Sequence, residues 1–416
     1  MAQLSDDCFA FGGQLLPLDE ALGRLRDVFP PVEATETVTL DRAIGRILAA
    51  DLVAPLDVPG HDNSAVDGYA FRHADLEPGA PTRFQIAGRA TAGHPVNGAR
   101  AKGTAVRIFT GAPMPDDFDS VAMQEDCRVE DGHVVIPPGL KPGANRRFAG
   151  EDVRRGTAGL AAGTRLRAQE IGLAAAFGLT EVTVHRRLKV AVLSTGDEIA
   201  EPGRALAPGQ VYDSNRRTLV ALLSGLGAEV TDLGILPDQP DAIRRHLADA
   251  AAGHDAIVTS GGVSEGEEDH IRGGVAQLGR LHWWRIAIKP GRPVSVGQIG
   301  TTAFLGLPGN PAATMTTFFL VARPILLQMA GAAARPLTRL YVRAGFSQKK
   351  KPGRVEYVRV RIEAGPDGPV ARRFPRDGAG LLSSMVWSDG LAELPLDLER
   401  LEEGASVAYL PFAEMI

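Results

Sequence analysis

Leu18, Ala21, Leu22, Leu25 and Val28 recur at helical spacing, which predicts an amphipathic helix over Leu18–Val28. Pro30-Pro31 stops it. A second helix is predicted over Asp41–Ala50, with Ile44, Ile47 and Leu48 on one face. Between Val53 and Val184 the pattern shortens. Thr104–Phe109, Ser120–Met123 and His133–Ile136 are strand-length runs separated by Gly, Pro and Asp turns, and they read as a small β-rich module. Ala168–Phe177 returns to helical spacing.

From Leu188 the two periods alternate. Lys189–Leu193, Glu229–Leu233 and Ala256–Thr259 are predicted strands, and Thr218–Leu226 and Asp241–Ala251 are predicted helices between them. The first strand is a continuous apolar run, suited to burial on both faces. Strand–helix alternation implies βαβ units and a mostly parallel sheet. Right-handed crossovers then gather the loops Ser194–Glu198, Ile235–Asp238, Ser260–Asp269 and Leu307–Pro311 along one edge, where open α/β sheets bind ligands. Phe318–Ala334 is the most apolar window, but Arg323 and Pro324 interrupt it, so it reads as a buried helix and not a membrane span. Gly331–Pro336 is a candidate linker. Leu340–Ala344, Val355–Ile362 and Val407–Leu410 read as strands of a C-terminal β domain, and the basic run Lys349–Arg354 reads as a solvated hairpin tip.

Composition narrows the class without changing this outline. A chain of 416 residues is too long for one core, and 44% hydrophobic with 23% charged residues is ordinary for a soluble globular protein. The net charge of −5 argues against general nucleic-acid binding. Cys8 and Cys127 have no paired spacing, so neither a disulfide framework nor a zinc site is expected, and a reducing, cytoplasmic location fits. The acidic start Met1–Asp7 lacks the pattern of a signal peptide. With 48 Gly and 29 Pro and no repeat period, many shaped loops are implied.

Several loops carry candidate chemistry. In Ser194-Thr195-Gly196-Asp197-Glu198, the glycine lets backbone amides approach an anion and the acids offer hard oxygen ligands for Mg²⁺. The competing reading is a helix cap with an acidic first turn. Ser260-Gly261-Gly262-Val263-Ser264 is a second glycine turn, followed by Glu265, Glu267, Glu268 and Asp269. Lys289-Pro290-Gly291-Arg292-Pro293 fixes cations between prolines, and Leu307-Pro308-Gly309-Asn310-Pro311 opens a helix whose N-terminus suits an anion. Asp238 stands in a loop before Gln-Pro, where a plain turn residue is the alternative. The segment Asp62–Ala70 places Asp62 and Asp67 around small hydrogen-bonding groups. There is no Ser-His-Asp order and no dinucleotide glycine fingerprint.

In this order, Asp62–Ala70, Thr110-Gly111-Ala112-Pro113, Gly150-Glu151-Asp152 and the loops above resemble the molybdopterin molybdenumtransferase (MoeA) family, related to the C-terminal domain of gephyrin, from about Leu18 to Phe412. The resemblance implies an α/β multidomain fold. Residues 1–55 plus 146–185 would form a discontinuous helical dimerisation domain, 56–145 the β-rich module, 186–330 an α/β molybdopterin-binding domain with a mostly parallel sheet, and 331–416 a small β domain.

The reaction it implies is insertion of molybdenum from molybdate into adenylylated molybdopterin, Mg²⁺-dependent, with release of AMP. It matches Asp62, Thr110, Asp152, Glu198, Asp238 and Asp269 to active-site positions, with Glu198, Asp238 and Asp269 as metal ligands. Ser194, Thr195, Gly196, Ser260, Gly261, Gly262, Ser264, Lys289, Pro308, Gly309 and Asn310 would hold the pterin nucleotide, and Arg292, Arg359 and Ser384 the molybdate. A homodimer sharing its active site between subunits and a contact with the molybdopterin adenylyltransferase are implied as well, with no nucleic-acid or membrane partner. Glu265, Arg285, Arg292 and Ala313 depart from the family pattern. The rival readings are a gephyrin-like scaffold, which would have no need of the acids, and a tungsten-specific paralogue.

Overall fold

The computed structural model describes residues 15–98, 100–261 and 270–415, without the side chains of residues 282–284. At its centre is a six-stranded sheet in the order Glu229–Leu236, Lys189–Thr195, Ala256–Ser260, Thr302–Leu307, Pro293–Ile299, Arg280–Arg285. The first four strands are parallel, Pro293–Ile299 runs against them, and Arg280–Arg285 pairs antiparallel with it and so returns to their direction. Apolar residues occupy both faces because helices cover both. Val190, Val192, Val258 and Leu305 pack toward Ser214–Leu226 and the long helix from Pro311. Ala191, Leu193, Ile257 and Phe304 pack toward Pro240–Gly253 and His270–Leu278.

The long helix runs Pro311–Met329 and passes through a π-helical turn at Phe318–Ala322. By length and composition it would suit a membrane, but 72% of its most apolar window is buried in the core. It is a core helix, as its interrupting Arg323 and Pro324 indicate. The first helix, Leu18–Arg26, packs on this same core through Ala21 and Leu25.

Residues 35–54 and 158–185 build a separate small core. Thr35–Thr39 pairs antiparallel with Glu181–His185, and Leu48, Leu52, Leu166, Phe177 and Val184 pack together beside the helix Ala168–Ala176. The helix expected over Asp41–Ala50 is not there. Only a 3-10 turn forms at Leu40–Arg42, because Gly45 takes a φ of +73° that ends any helix. Ile47 and Leu48 instead bridge to Arg165 and Val184, and Ile44 is exposed. The β-rich module is a six-stranded sheet with Gly68–Phe71 and Thr104–Ile108 inside it. Gly68 has no alternative there, since a Cβ would stand 1.9 Å from the Ala122 carbonyl oxygen.

The C-terminal domain is a closed barrel. Val355–Gly365, Gly368–Arg373, Leu340–Ala344, Ser406–Pro411 and Gly390–Leu394 follow one another round to the first strand again. Ile288–Lys289 adds to it in parallel, opposite Val355 and Glu356. The basic run is not a solvated tip throughout. Lys350 is 8% exposed, and its Nζ donates to the carbonyls of Leu396 and Leu398 at 3.2 and 2.8 Å, which fixes the turn before the strand Arg400–Leu401.

One ion network anchors the sheet's carboxyl edge. Arg216, 1% exposed at the start of the helix Ser214–Leu226, donates to Asp213 at 2.9 Å and pairs with Asp232 and Glu201. Asp213 also caps that helix by accepting from the Arg216 backbone N–H at 3.1 Å. Removing the cation leaves the buried Asp213 carboxylate without a partner cation, while Glu201 and Asp232 keep Arg217 at 3.1 and 3.0 Å. We expect Arg216→Met to lower unfolding free energy by about 3 kcal/mol or more in urea titrations. Stability within about 0.5 kcal/mol of wild type would contradict this role.

Candidate active site

Strand register places the predicted loops along one edge. Ser194 stands opposite both Ile235 and Ser260, Thr195 opposite Leu236, and Ser260 opposite Leu307. The chain therefore leaves four adjacent parallel strands at one level, and the turns that follow share that edge. Gly196 takes a φ of +134°, and a Cβ there would lie 2.3 Å from a Glu198 carboxylate oxygen. Glycine is thus what lets the Glu198 carboxylate fold back over its own turn. Glu198 is exposed and Asp238 half-buried, and neither side chain has an ion pair or hydrogen bond among the described residues. The Ser194 hydroxyl is buried without a partner among the described residues.

The turns after the third and fourth strands touch. The Gly261 N–H donates to the Leu307 carbonyl at 3.0 Å, and a Cβ on Gly309 would stand 3.7 Å from the Gly261 Cα. The Asn215 amide donates to the Gly309 carbonyl at 2.6 Å and holds that turn. Asn310 begins the long helix, but its side chain makes no capping bond and stays available. Gly262, Ser264, Glu265, Glu267, Glu268 and Asp269 lie outside the described residues. No group of three or more metal-ligating side chains forms among the described residues.

Beside this edge a cleft of about 380 Å³ opens between the α/β domain and the barrel. Its walls include Lys289, Pro290, Pro308 and Asn310 on one side and Glu356, Arg359, Arg373, Arg376 and Asp377 on the other. Most of its charges are matched. Lys289 Nζ lies 3.3 Å from buried Glu356, Arg354 reaches the same carboxylate at 3.3 Å, and Arg373 pairs with Asp377, whose carboxyl it holds below the usual range. Among the described residues, exposed Arg376 meets only the Phe374 ring, and the one buried exception is Arg359. It is 9% exposed, has no ion pair among the described residues, and its Nε has no partner. Burial pushes its guanidinium pKa down. A buried cation in this condition is costly unless an anion binds there.

Other predicted residues fall elsewhere. Arg292 does not line the cleft; its backbone carbonyl accepts from Ile286. Ser384 is fully buried in the helix Leu382–Trp387, and its hydroxyl donates to the Leu381 carbonyl at 2.5 Å, so it serves the local turn. Arg285 pairs through its backbone with Pro293 at the sheet's far side, and Ala313 lines the cleft.

Asp62, Thr110 and Asp152 belong to the β-rich module and its border. Asp62 is fully engaged: Oδ1 accepts from the Ala149 N–H at 2.7 Å, and Oδ2 accepts from Arg146 Nε at 2.8 Å. Desolvation opposes its charge, but those hydrogen bonds outweigh it and hold its carboxyl below the usual value. Its role on this geometry is to shape the segment 146–149. The Thr110 backbone N–H and hydroxyl both donate to Asp67 at 2.8 Å, and the backbone bond is the main reason the Asp67 carboxyl is shifted down. Asp152 is exposed, and Arg147 approaches Glu151 at 4.0 Å. Among the described residues no hydrogen bond or ion pair joins this module to the sheet's carboxyl edge.

Sequence reasoning gave no role to Asn215, Gln348 and Glu356, and named Asp67 without a partner. Asp67 stood inside the segment Asp62–Ala70 already singled out, and Glu356 lay in the predicted strand Val355–Ile362. Asn215 and Gln348 carried no signal.

Three family descriptions match the chain in order. "MoeA N-terminal region (domain I and II)" covers residues 16–178, "Probable molybdopterin binding domain" 191–328, and "MoeA C-terminal region (domain IV)" 341–412. The molybdopterin molybdenumtransferase of Haemophilus influenzae is 36% identical over 405 residues, covering 97% of this chain and 100% of that one. Gephyrin of Dictyostelium discoideum is 29% identical over 76% of this chain and 50% of its own length. The crystal structure of a molybdopterin biosynthesis MoeA protein from Pyrococcus horikoshii superposes with a TM-score of 0.83 at 30% identity, covering 96% of this chain and 100% of that one. With 36% identity to one relative over 97% of its own length and all three regions present in order, the chain belongs to the molybdopterin molybdenumtransferase (MoeA) family.

Proposed function

We propose that this chain is an enzyme that inserts molybdenum from molybdate into adenylylated molybdopterin, releasing AMP and molybdenum cofactor. The observation that supports the reading is Arg359, a buried guanidinium with no ion pair among the described residues, in a cleft walled by the same Pro308–Asn310 turn that closes the sheet's carboxyl edge. On this reading the glycine turns at Gly196, Gly261 and Gly309 bring backbone amides to the phosphates of the pterin nucleotide. Arg359 then receives molybdate in the adjoining cleft. Lys289 is held by Glu356 and orients rather than neutralises.

Glu198 and Asp238 supply free carboxylate oxygens two or three residues beyond paired strand ends, and Asp269 completes the set in sequence. This hard-oxygen donor set fits Mg²⁺, which takes one or two carboxylates alongside phosphate oxygens and water. Glu198, Asp238 and Asp269 would hold the ion, which would supply Lewis-acid polarisation of the phosphoanhydride.

The β-rich module is read as closing the site of a second subunit in a homodimer, with Asp62 shaping the contributing loop and Thr110 fixed by Asp67. A cytoplasmic enzyme handed its nucleotide by the molybdopterin adenylyltransferase is the matching setting. The scaffold alternative is disfavoured because Glu198 and Asp238 are kept free of structural partners. Molybdenum and tungsten oxyanions share shape and charge, so the metal preference is decided by metal content in a dependent enzyme from cells carrying this protein alone.

Two outcomes follow. Arg359→Ala raises the apparent KM for molybdate by about tenfold or more, the loss expected for one charged hydrogen bond, while the KM for adenylylated molybdopterin changes little. Steady-state kinetics with each substrate varied in turn checks this, and an unchanged molybdate KM refutes it. Mixing Asp62→Asn subunits with Glu198→Gln subunits, each inactive alone, restores about a quarter of wild-type activity after random exchange, since half the dimers are hybrids with one intact site. No recovery after verified exchange rules out the shared site.

A further inference from the structure

The loop 374–381 joins the strand Gly368–Arg373 to the helix Leu382–Trp387, and Phe374, Arg376, Asp377, Gly378 and Ala379 line the cleft. The loop is tied at both ends. The Phe374 N–H donates to the Arg359 carbonyl at 3.1 Å, and its ring meets Trp387 edge to face with centroids 5.4 Å apart. The Ala379 carbonyl accepts from the Ala312 N–H at 2.9 Å. Between these ties Pro375, Arg376, Asp377 and Gly378 are exposed, and their backbone makes no hydrogen bond among the described residues. Two side chains fasten this tip. Arg376 lies over the Phe374 ring at 5.9 Å, and Asp377 pairs with Arg373.

The two acids of the cleft are held differently. The Glu356 side chain is 3% exposed and accepts from Lys289, Arg354 and Gln348. The Asp377 side chain is 84% exposed, and Arg373 is its one partner among the described residues. The Arg373 hydrogen bond is the main reason the Asp377 carboxyl is held below its usual range, and Lys289 and Arg359 lower it further. All three cations therefore lie within electrostatic reach of that one carboxylate. Arg373 keeps 27% of its side chain exposed, so its guanidinium is open to an incoming anion.

An exposed ion pair contributes little, because water solvates both partners when it opens. A tetrahedral dianion carries twice the charge of a carboxylate and offers the same oxygen acceptors to a guanidinium fork. Exchanging one for the other needs only the tip 375–378 to turn, since the backbone ties lie on either side of it. We propose that Arg373 is a second oxyanion-binding residue of the cleft and that Asp377 is its built-in competitor. The carboxylate occupies Arg373 in the empty cleft and yields it to molybdate, which then meets Arg373 as well as Arg359. The inference rests on the reading of the cleft as the oxyanion site. It makes Arg359 the fixed cation and Arg373 the exchangeable one, and it holds molybdate affinity below what the two cations alone would give.

Isothermal titration calorimetry of the full chain with sodium molybdate tests this. At about 0.3 M salt, charges farther apart than about 6 Å are screened, so exchange is separated from the general field. The two members of this ion pair should act with opposite sign. Arg373→Gln should weaken molybdate about tenfold, the loss expected for one charged hydrogen bond. Asp377→Asn should tighten it about three- to fivefold, the factor for an exposed pair at the top of its range. In the Arg373→Gln background, Asp377→Asn should change affinity less than about 1.5-fold, because no paired cation is left to release.

A molybdate Kd unchanged or raised in Asp377→Asn overturns the proposal, whether or not Arg373→Gln folds. An equal gain in both backgrounds also overturns it, because independent charges add and an exchanged partner does not. A wild-type protein that binds no molybdate refutes the cleft reading and the proposal with it, a result distinct from the other two.

Discussion

The candidate site depends on a two-residue strand pairing. Ile288 and Lys289, which belong to the α/β domain by sequence, hydrogen-bond into the barrel opposite Val355 and Glu356, and the Val355 N–H donates to the Ala287 carbonyl at 2.8 Å. That pairing sets Lys289 against Glu356 and carries Pro290 and Gly291 over the long helix. Gly291 lies so near that a Cβ would meet the Thr317 side chain at 2.3 Å. At the opposite wall the Ala312 N–H donates to the Ala379 carbonyl at 2.9 Å. The cleft is therefore bounded by backbone bonds on two sides, which gives it a defined width instead of that of a loose interdomain gap.

The charges inside it follow one pattern. Each acid is matched to a cation at hydrogen-bonding distance, Glu356 by Lys289 and Arg354 and Asp377 by Arg373. Arg359, the most buried arginine of the group, is left over. Packing alone does not favour an unpaired guanidinium at that depth, and the burial that lowers its pKa is the same burial that would strengthen its hold on an anion. The Arg216 network at the same edge of the sheet is the contrasting case, where a buried arginine is surrounded by three carboxylates and does structural work.

The sheet's carboxyl edge was legible because its signals are local and redundant. Continuous apolar runs such as Lys189–Leu193 end in glycine turns, and register then places those turns together without further information. Three features were not legible. The helix expected over Asp41–Ala50 failed because one glycine with positive φ overrode a plausible apolar spacing. Lys350 looked solvated because nothing in a basic run shows which residue meets two carbonyls of a distant turn. Ser384 and Asp62 looked like ligand contacts, yet their polar atoms are used by Leu381 and by Arg146 and Ala149, partners that only the fold brings near. Glu356 and Gln348 act through their neighbours across the barrel, and residue type alone carries no such information.

Anomalous diffraction from crystals of the protein soaked in tungstate tests the central claim most directly, because the heavy oxyanion reports its own position. The account predicts an anomalous peak in the cleft, with an oxygen within hydrogen-bonding distance of the Arg359 guanidinium. An empty cleft with tungstate bound elsewhere at full occupancy would contradict it.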